Sequence, residues 1–154
     1  MRKIVYTTLS GTLAVVLPVI NDIGEEDGFT EAQAEQRAWD KLPQDAINPR
    51  WANELEVPTD RTFRAAWEDN AGIKVNMPKA REIHKDKLRE LRKPLLEALD
   101  LQYMRADEIV DSAEKANIAA KKQALRDITA TPAIEAAKTP DELKIVGVPA
   151  GAMR

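Results

Sequence analysis

His84 is the only histidine in the chain and there is no cysteine, which leaves few ways to assemble a nucleophile. A Ser-His-Asp arrangement would have to use His84 as its base. Its neighbours at helical spacing, Arg81, Lys85 and Lys87, are all basic and do not prepare an imidazole for that work. A structural or surface place is expected for it. Carboxylates recur at metal-holding and acid–base spacings, Asp107 with Asp111 four apart and Glu97 with Asp100 three apart. Basic residues such as Arg105 and Lys115 lie close by, so these pairs read as a solvated, ion-paired face. Gly11, Gly24 and Gly28 match neither GxGxxG nor GxxxxGK[ST], and Asp27-Gly28 is a turn signal only. No catalytic, cofactor-binding or metal-binding residue is expected, and the chain reads as a non-enzyme.

Two further groups could bind rather than react. Lys79, Arg81, Lys85, Lys87, Arg89, Arg92 and Lys93 form a basic run, but Glu82, Asp86 and Glu90 interleave with it. Opposite charges three or four apart pair along a helix, each worth a few tenths of a kcal/mol. Phosphate gripping is therefore not the expected use, and nucleic acid is not the expected partner. The aromatics Trp39, Trp51, Phe63 and Trp67 concentrate in one stretch. Such residues anchor either a core or a protein interface, and both readings stand. With the strand residues Tyr6, Val15 and Leu17 they are the interface candidates.

These residues need elements to place them. Ile4, Val5, Tyr6, Thr7 and Thr8, then Leu13, Val15, Val16, Leu17 and Val19, flank the turn Leu9-Ser10-Gly11. Short β-branched runs split by such a turn predict a β-hairpin, with Pro18 ending its second strand or holding it at an edge. An acidic loop is expected over Asn21–Gly28. Thr30 with Gln33 predicts a capped helix through Leu42, stopped by Pro43. The stretch Ala46–Pro58 reads as irregular, with a short strand near Glu54–Val57. Thr59 or Asp60 is expected to cap a helical turn that sets Phe63 and Trp67 on one face. Glu68–Gly72 reads as a loop and Ile73–Val75 as extended.

The second half has a helical period. Met77, Ala80, Ile83, His84, Leu88, Leu91, Leu95 and Leu99 recur every three or four residues after a cap at Asn76, and Pro94 predicts a kink or break. Asp111-Ser112 predicts a turn or cap before a further helix over Glu114–Ile128, giving a helical hairpin. Thr131-Pro132 and Thr139-Pro140 predict two short helices, the second with a full capping box, ending near Val146. The tail over Gly147–Arg154 is expected to fray unless held. The fold class is α+β: residues 1–75 form a small domain with the hairpin and the Trp-rich segment, and residues 76–154 a helical hairpin with a helical tail.

Charge adds orientation but no partner. The 154 residues carry a net charge of −3. Residues 1–60 hold 5 Lys/Arg against 11 Asp/Glu, and residues 61–154 hold 18 against 15. A solvated surface accounts for the asymmetry. The apolar stretch from Leu9 to Ile20, broken by Ser10, Gly11, Thr12 and Pro18, reads as strands instead of a signal peptide. No stretch approaches the roughly 20 apolar residues of a membrane span.

One resemblance gives a context. Pro58-Thr59-Asp60-Arg61-Thr62-Phe63-Arg64-Ala65-Ala66-Trp67 resembles a segment of small proteins from tailed-bacteriophage tail modules. The order continues through Met77-Pro78-Lys79-Ala80-Arg81-Glu82-Ile83, Lys87-Leu88-Arg89 and Arg92, then Leu99-Asp100, Tyr103-Met104 and Ala106. Gln123-Ala124-Leu125-Arg126-Asp127-Ile128-Thr129 is similar to the C-terminal signature of phage tail-assembly chaperones and tail-fibre-assembly proteins. The resemblance spans residues 58–146. It implies a structural or assembly protein that binds other tail, fibre or portal-proximal proteins, homo-oligomeric or part of a larger assembly. It implies a place in the virion, with assembly in the bacterial host cytoplasm. Alternatives are a transient chaperone absent from the finished particle and a nucleic-acid-binding accessory protein. The resemblance brings no catalytic residues and no cofactor.

Overall fold

A computed structural model describes residues 1–20 and 30–148. The expected loop over Asn21–Gly28 and the last six residues lie outside the described residues. The class is α+β, and the chain divides into two compact units, Met1–Asn76 and Met77–Arg154.

The first unit is built on the N-terminal hairpin. Strands β1 (Lys3–Thr7) and β2 (Leu13–Val16) pair antiparallel in the register Ile4↔Val16 to Thr7↔Leu13. Gly11 sits at φ 75°, a conformation that costs glycine little, and its N–H donates to the Thr8 carbonyl at 2.9 Å to close the turn. Strand β2 ends at Val16, two residues before Pro18. Helix α1 (Glu31–Asp40) follows, and Thr30 and Gln33 make the expected reciprocal cap. The chain then forms β3 (Ile47–Ala52), which pairs antiparallel with β1 and completes a sheet in the order β2-β1-β3.

That third strand corrects the reading of Ala46–Pro58. Strand structure lies at Ile47–Ala52, while Glu54–Glu56 is a 3-10 turn. Pro49 hid it, yet β3 is an edge strand, where a missing N–H leaves no ladder bond unmade. The register shifts between Val5 and Thr7, and Asn48 sits at φ 49° beside that irregularity.

The Phe63–Trp67 reading is also corrected. Arg64–Ala66 is one 3-10 turn, and Trp67 opens strand β4 (Trp67–Asp69), which pairs with β5 (Ile73–Val75). Asp60 accepts from the Thr62 N–H at 2.9 Å and folds a local turn instead of capping a helix. Alternation along the strands separates the two faces of the sheet. Val5, Leu13 and Ala52 face a core completed by Val57 and Trp67, with Val15, Ile73 and Val75 at its margin. The opposite face carries Ile4, fully buried, and Trp51.

The second unit is helical. Helix α2 (Met77–Glu108) runs unbroken past Pro94, contrary to a break there. Pro94 is exposed, so water can satisfy the carbonyl that its ring leaves free. Helix α3 (Ser112–Asp127) starts at Asp111, whose carboxylate accepts from the Glu114 N–H at 2.9 Å. The two helices bury Leu99, Ala106, Ile118 and Leu125 together. Arg92 closes the far end of α3, its Nη1 donating to the Arg126 carbonyl at 2.7 Å. Helices α4 (Pro132–Ala136) and α5 (Pro140–Ile145) follow Thr131 and Thr139. The second capping box is only half formed: Thr139 accepts from the Glu142 N–H, but Glu142 accepts from Lys138 instead. The chain is still held beyond α5, because Val148 packs on the hairpin core.

The α2–α3 turn holds an uncommon residue. The Asp111 N–H donates to the Ala106 carbonyl at 2.8 Å and the Val110 N–H to the Asp107 carbonyl at 3.0 Å. This pair of bonds is a Schellman motif, whose left-handed position usually holds glycine. Val110 occupies it at φ 58° and is 80% exposed. A β-branched residue is strained there and gains no packing in return. Val110→Gly is expected to stabilise the chain by about 1 kcal/mol. A urea-denaturation midpoint that falls instead of rising would contradict this account of the turn.

Candidate functional site

The candidate residues separate into two groups. Phe63 and Trp67 are 3% and 1% exposed, so they fill the interior instead of presenting a surface. As interface candidates they are corrected: the β4–β5 ribbon folds Trp67 against the sheet, and a covered indole has nothing left to offer a partner. Tyr6, Val15, Trp39 and Trp51 are half-buried, and Leu17 is exposed. Val15 borders the Trp67 core on the sheet's inner face. Leu17 lines a groove of about 300 Å³ with Val16, Val19 and Ala38, between the end of β2 and α1.

Trp39 and Trp51 are brought together. Trp39 lies in the last turn of α1 and Trp51 on β3, and their rings stack 5.2 Å apart at 26°. The Arg2 guanidinium lies 4.6 Å from the centre of the Trp51 ring. Arg2 is fixed from its other side. Its backbone N–H donates to Glu35 Oε1 at 2.8 Å and its Nη2 to Oε2 at 2.6 Å. The Glu35 carboxyl is nearly covered, and the Arg2 hydrogen bonds hold it below the ordinary carboxylate range. The result is a rigid, amphipathic patch of two tryptophans and an arginine, the residue types that dominate protein-interface energetics. Sequence reasoning named both tryptophans but missed Arg2, which lies far from both in the chain, and Glu35, one helical turn before Trp39.

A second charged cluster ties the sheet to the ribbon. Arg50 donates to Asp69 through Nε at 2.6 Å and Nη2 at 2.9 Å, and to Glu56 through Nη1 at 2.9 Å. The guanidinium holds the Asp69 carboxyl below its usual value. Glu56 is lowered as well, first by the Asn53 N–H and then by Arg50.

These depressed groups set a direction for pH. A carboxyl that binds its proton more weakly folded than unfolded stabilises the fold above its unfolded value. That contribution is complete above the ordinary carboxylate range and disappears as pH falls through the lowered folded values. Denaturation followed by tryptophan fluorescence should show stability falling as pH is lowered through and below the ordinary carboxylate range. Asp69→Asn should be less stable at neutral pH and show a shallower acid loss. An equally steep acid loss in that variant would remove Asp69 from the account.

The chemistry-bearing residues of the second unit are engaged structurally. His84 is buried, with Nε2 2.7 Å from the Val146 carbonyl. Asp107 pairs with Lys115, Asp100 with Lys122, and Asp111 caps α3. Among the described residues, no three His, Cys, Asp or Glu side chains gather as a metal site would require. In the basic run, Arg81 donates to the Ala137 carbonyl at 2.8 Å, Lys85 pairs with Glu82 and Glu135, and Arg89 pairs with Asp86. Among the described residues no helix is long and apolar enough to cross a membrane.

No protein-family model, no curated protein and no solved structure matches this chain.

Proposed function

We propose that this chain is a non-enzymatic structural or assembly protein of a tailed-phage tail. It binds other tail, fibre or portal-proximal proteins and remains in the virion. The observation that carries protein binding is the Trp39–Trp51 stack with Arg2 fixed beside it. Rigid aromatic rings lose little conformational freedom on contact, and a guanidinium adds directional donors. The phage context rests on the resemblance over residues 58–146. A protein partner is favoured over phosphate because Arg81, Lys85, Arg89 and Arg92 already serve carbonyls or carboxylates of their own unit.

The second reading is a tail-assembly chaperone that leaves before maturation, favoured by the run Gln123–Thr129. Mass spectrometry of purified particles separates the two. The chain should be found in virions at a fixed ratio to tail proteins, and its absence from them would leave the chaperone reading. Capture of tail proteins from infected cells should weaken in Trp39→Ala and Trp51→Ala. Unchanged capture by a folded double variant would remove the stack from the interface.

A further inference from the structure

We propose that the outer face of α2 is a self-recognition surface that pairs two copies of this chain antiparallel about a two-fold axis. Self-pairing through this face is independent of which other proteins the sheet unit binds. The buried residues Ala80, His84, Leu88, Leu99 and Ala106 mark the inner face of α2. A separate apolar row lies outside it: Leu91, Pro94, Ala98, Leu101 and Met104, every one exposed. Leu91, Leu101 and Met104 are 50%, 55% and 54% exposed, and successive members stand three or four residues apart, the spacing of one helix face.

The charges around this row identify its occupant. Lys87, Glu90, Arg105 and Glu108 are exposed, and their side chains make no ion pair or hydrogen bond within the described residues. Other charged side chains of α2, including Arg81, Lys85, Asp86, Arg89, Arg92, Asp100 and Asp107, do have partners. Lys93 and Glu97 are exposed and unpaired as well, but these four stand at the two ends of the apolar row and read plus, minus, plus, minus along the helix. In a two-fold antiparallel pair, residues equally far on either side of the axis face each other.

An axis between Glu97 and Ala98 sets Leu91 opposite Met104 and Pro94 opposite Leu101. The same axis sets Lys87 opposite Glu108 and Glu90 opposite Arg105. Leu91, Pro94, Leu101 and Met104 therefore meet apolar residues and each of these four charges meets its opposite, twice over by symmetry, while Lys93 falls opposite the neutral Gln102. Ala98 is small and lets the helices approach, while the two Glu97 side chains fall on opposite flanks. A different partner would need no such symmetry in this chain's own charges.

The contact is one helix wide and spans about six turns, so a dissociation constant on the order of 10 µM is expected. Sedimentation of the full chain over a concentration series should show a monomer–dimer equilibrium that weakens with salt. Lys87→Glu alone and Glu108→Lys alone should each weaken the dimer about tenfold, because symmetry converts two attractions into two repulsions. The double variant exchanges the charges and should recover the parent affinity. Leu101→Asp should leave a monomer. Far-ultraviolet circular dichroism checks that each variant keeps its helices. Should Leu101→Asp lose helicity, the exposed charge exchange decides the matter. A parent that stays monomeric throughout, or a double variant no tighter than its weaker single parent, overturns the proposal.

Discussion

Replacing Trp67 by alanine should cost about 3–5 kcal/mol, while replacing it by phenylalanine should cost almost nothing. Trp67 is 1% exposed and packs with Val5, Leu13, Ala52 and Val57. Truncation to alanine removes the bulk that joins the ribbon to the sheet and leaves a cavity that short strands cannot collapse to fill. Phenylalanine is different because of the indole nitrogen. The Trp67 Nε1–H is buried and meets no acceptor among the described residues. An unmet buried donor costs about 1–3 kcal/mol. Phenylalanine removes that donor while giving up roughly 1 kcal/mol of ring packing, so the two changes nearly cancel. Urea denaturation followed through Trp39 and Trp51 reads both variants. A loss above about 2 kcal/mol for Trp67→Phe would mean that the nitrogen has an acceptor after all.

Trp67 also shows where the sequence was legible. The hairpin could be read because its signals are local: β-branched runs, a turn and Gly11 in a left-handed position. The caps at Thr30 and Asp111 are local too. What could not be read depended on residues distant in the chain. Phe63 and Trp67 are four apart and imitate a helical face, but Val75 supplies Trp67 with a strand partner. Likewise β3 carries Pro49 and a left-handed Asn48, which argue against a strand until Lys3 pairs with Ala52. The exposed Pro94 warned of a break that a solvated helix face tolerates. The candidate site follows the same rule. Both tryptophans were visible as types, whereas their stacking and the Arg2–Glu35 clamp follow from the sheet that sets β1, α1 and β3 side by side.

Leu125→Ala is the other change expected to reach several kcal/mol, about 2–5, and it should act on a different signal. Leu125 is fully buried between α2 and α3 with Leu99, Ala106 and Ile118, and its own carbonyl accepts from Arg92 at 3.3 Å. Losing this side chain opens the hairpin core where Arg92 closes the end of α3. Domain stabilities run to about 5–15 kcal/mol in total, so a unit this small loses much of its margin. All three tryptophans lie in the first unit, whereas the long helices lie in the second. The Leu125→Ala variant should therefore lower the midpoint of the far-ultraviolet circular dichroism transition more than that of tryptophan fluorescence. Ile145→Ala is the control, since Ile145 is 81% exposed and its truncation should move neither signal. Equal shifts of both signals by Leu125→Ala would show that the two units unfold as one. A shift no larger than that of Ile145→Ala would instead mean that the helical hairpin does not depend on its buried apolar seam.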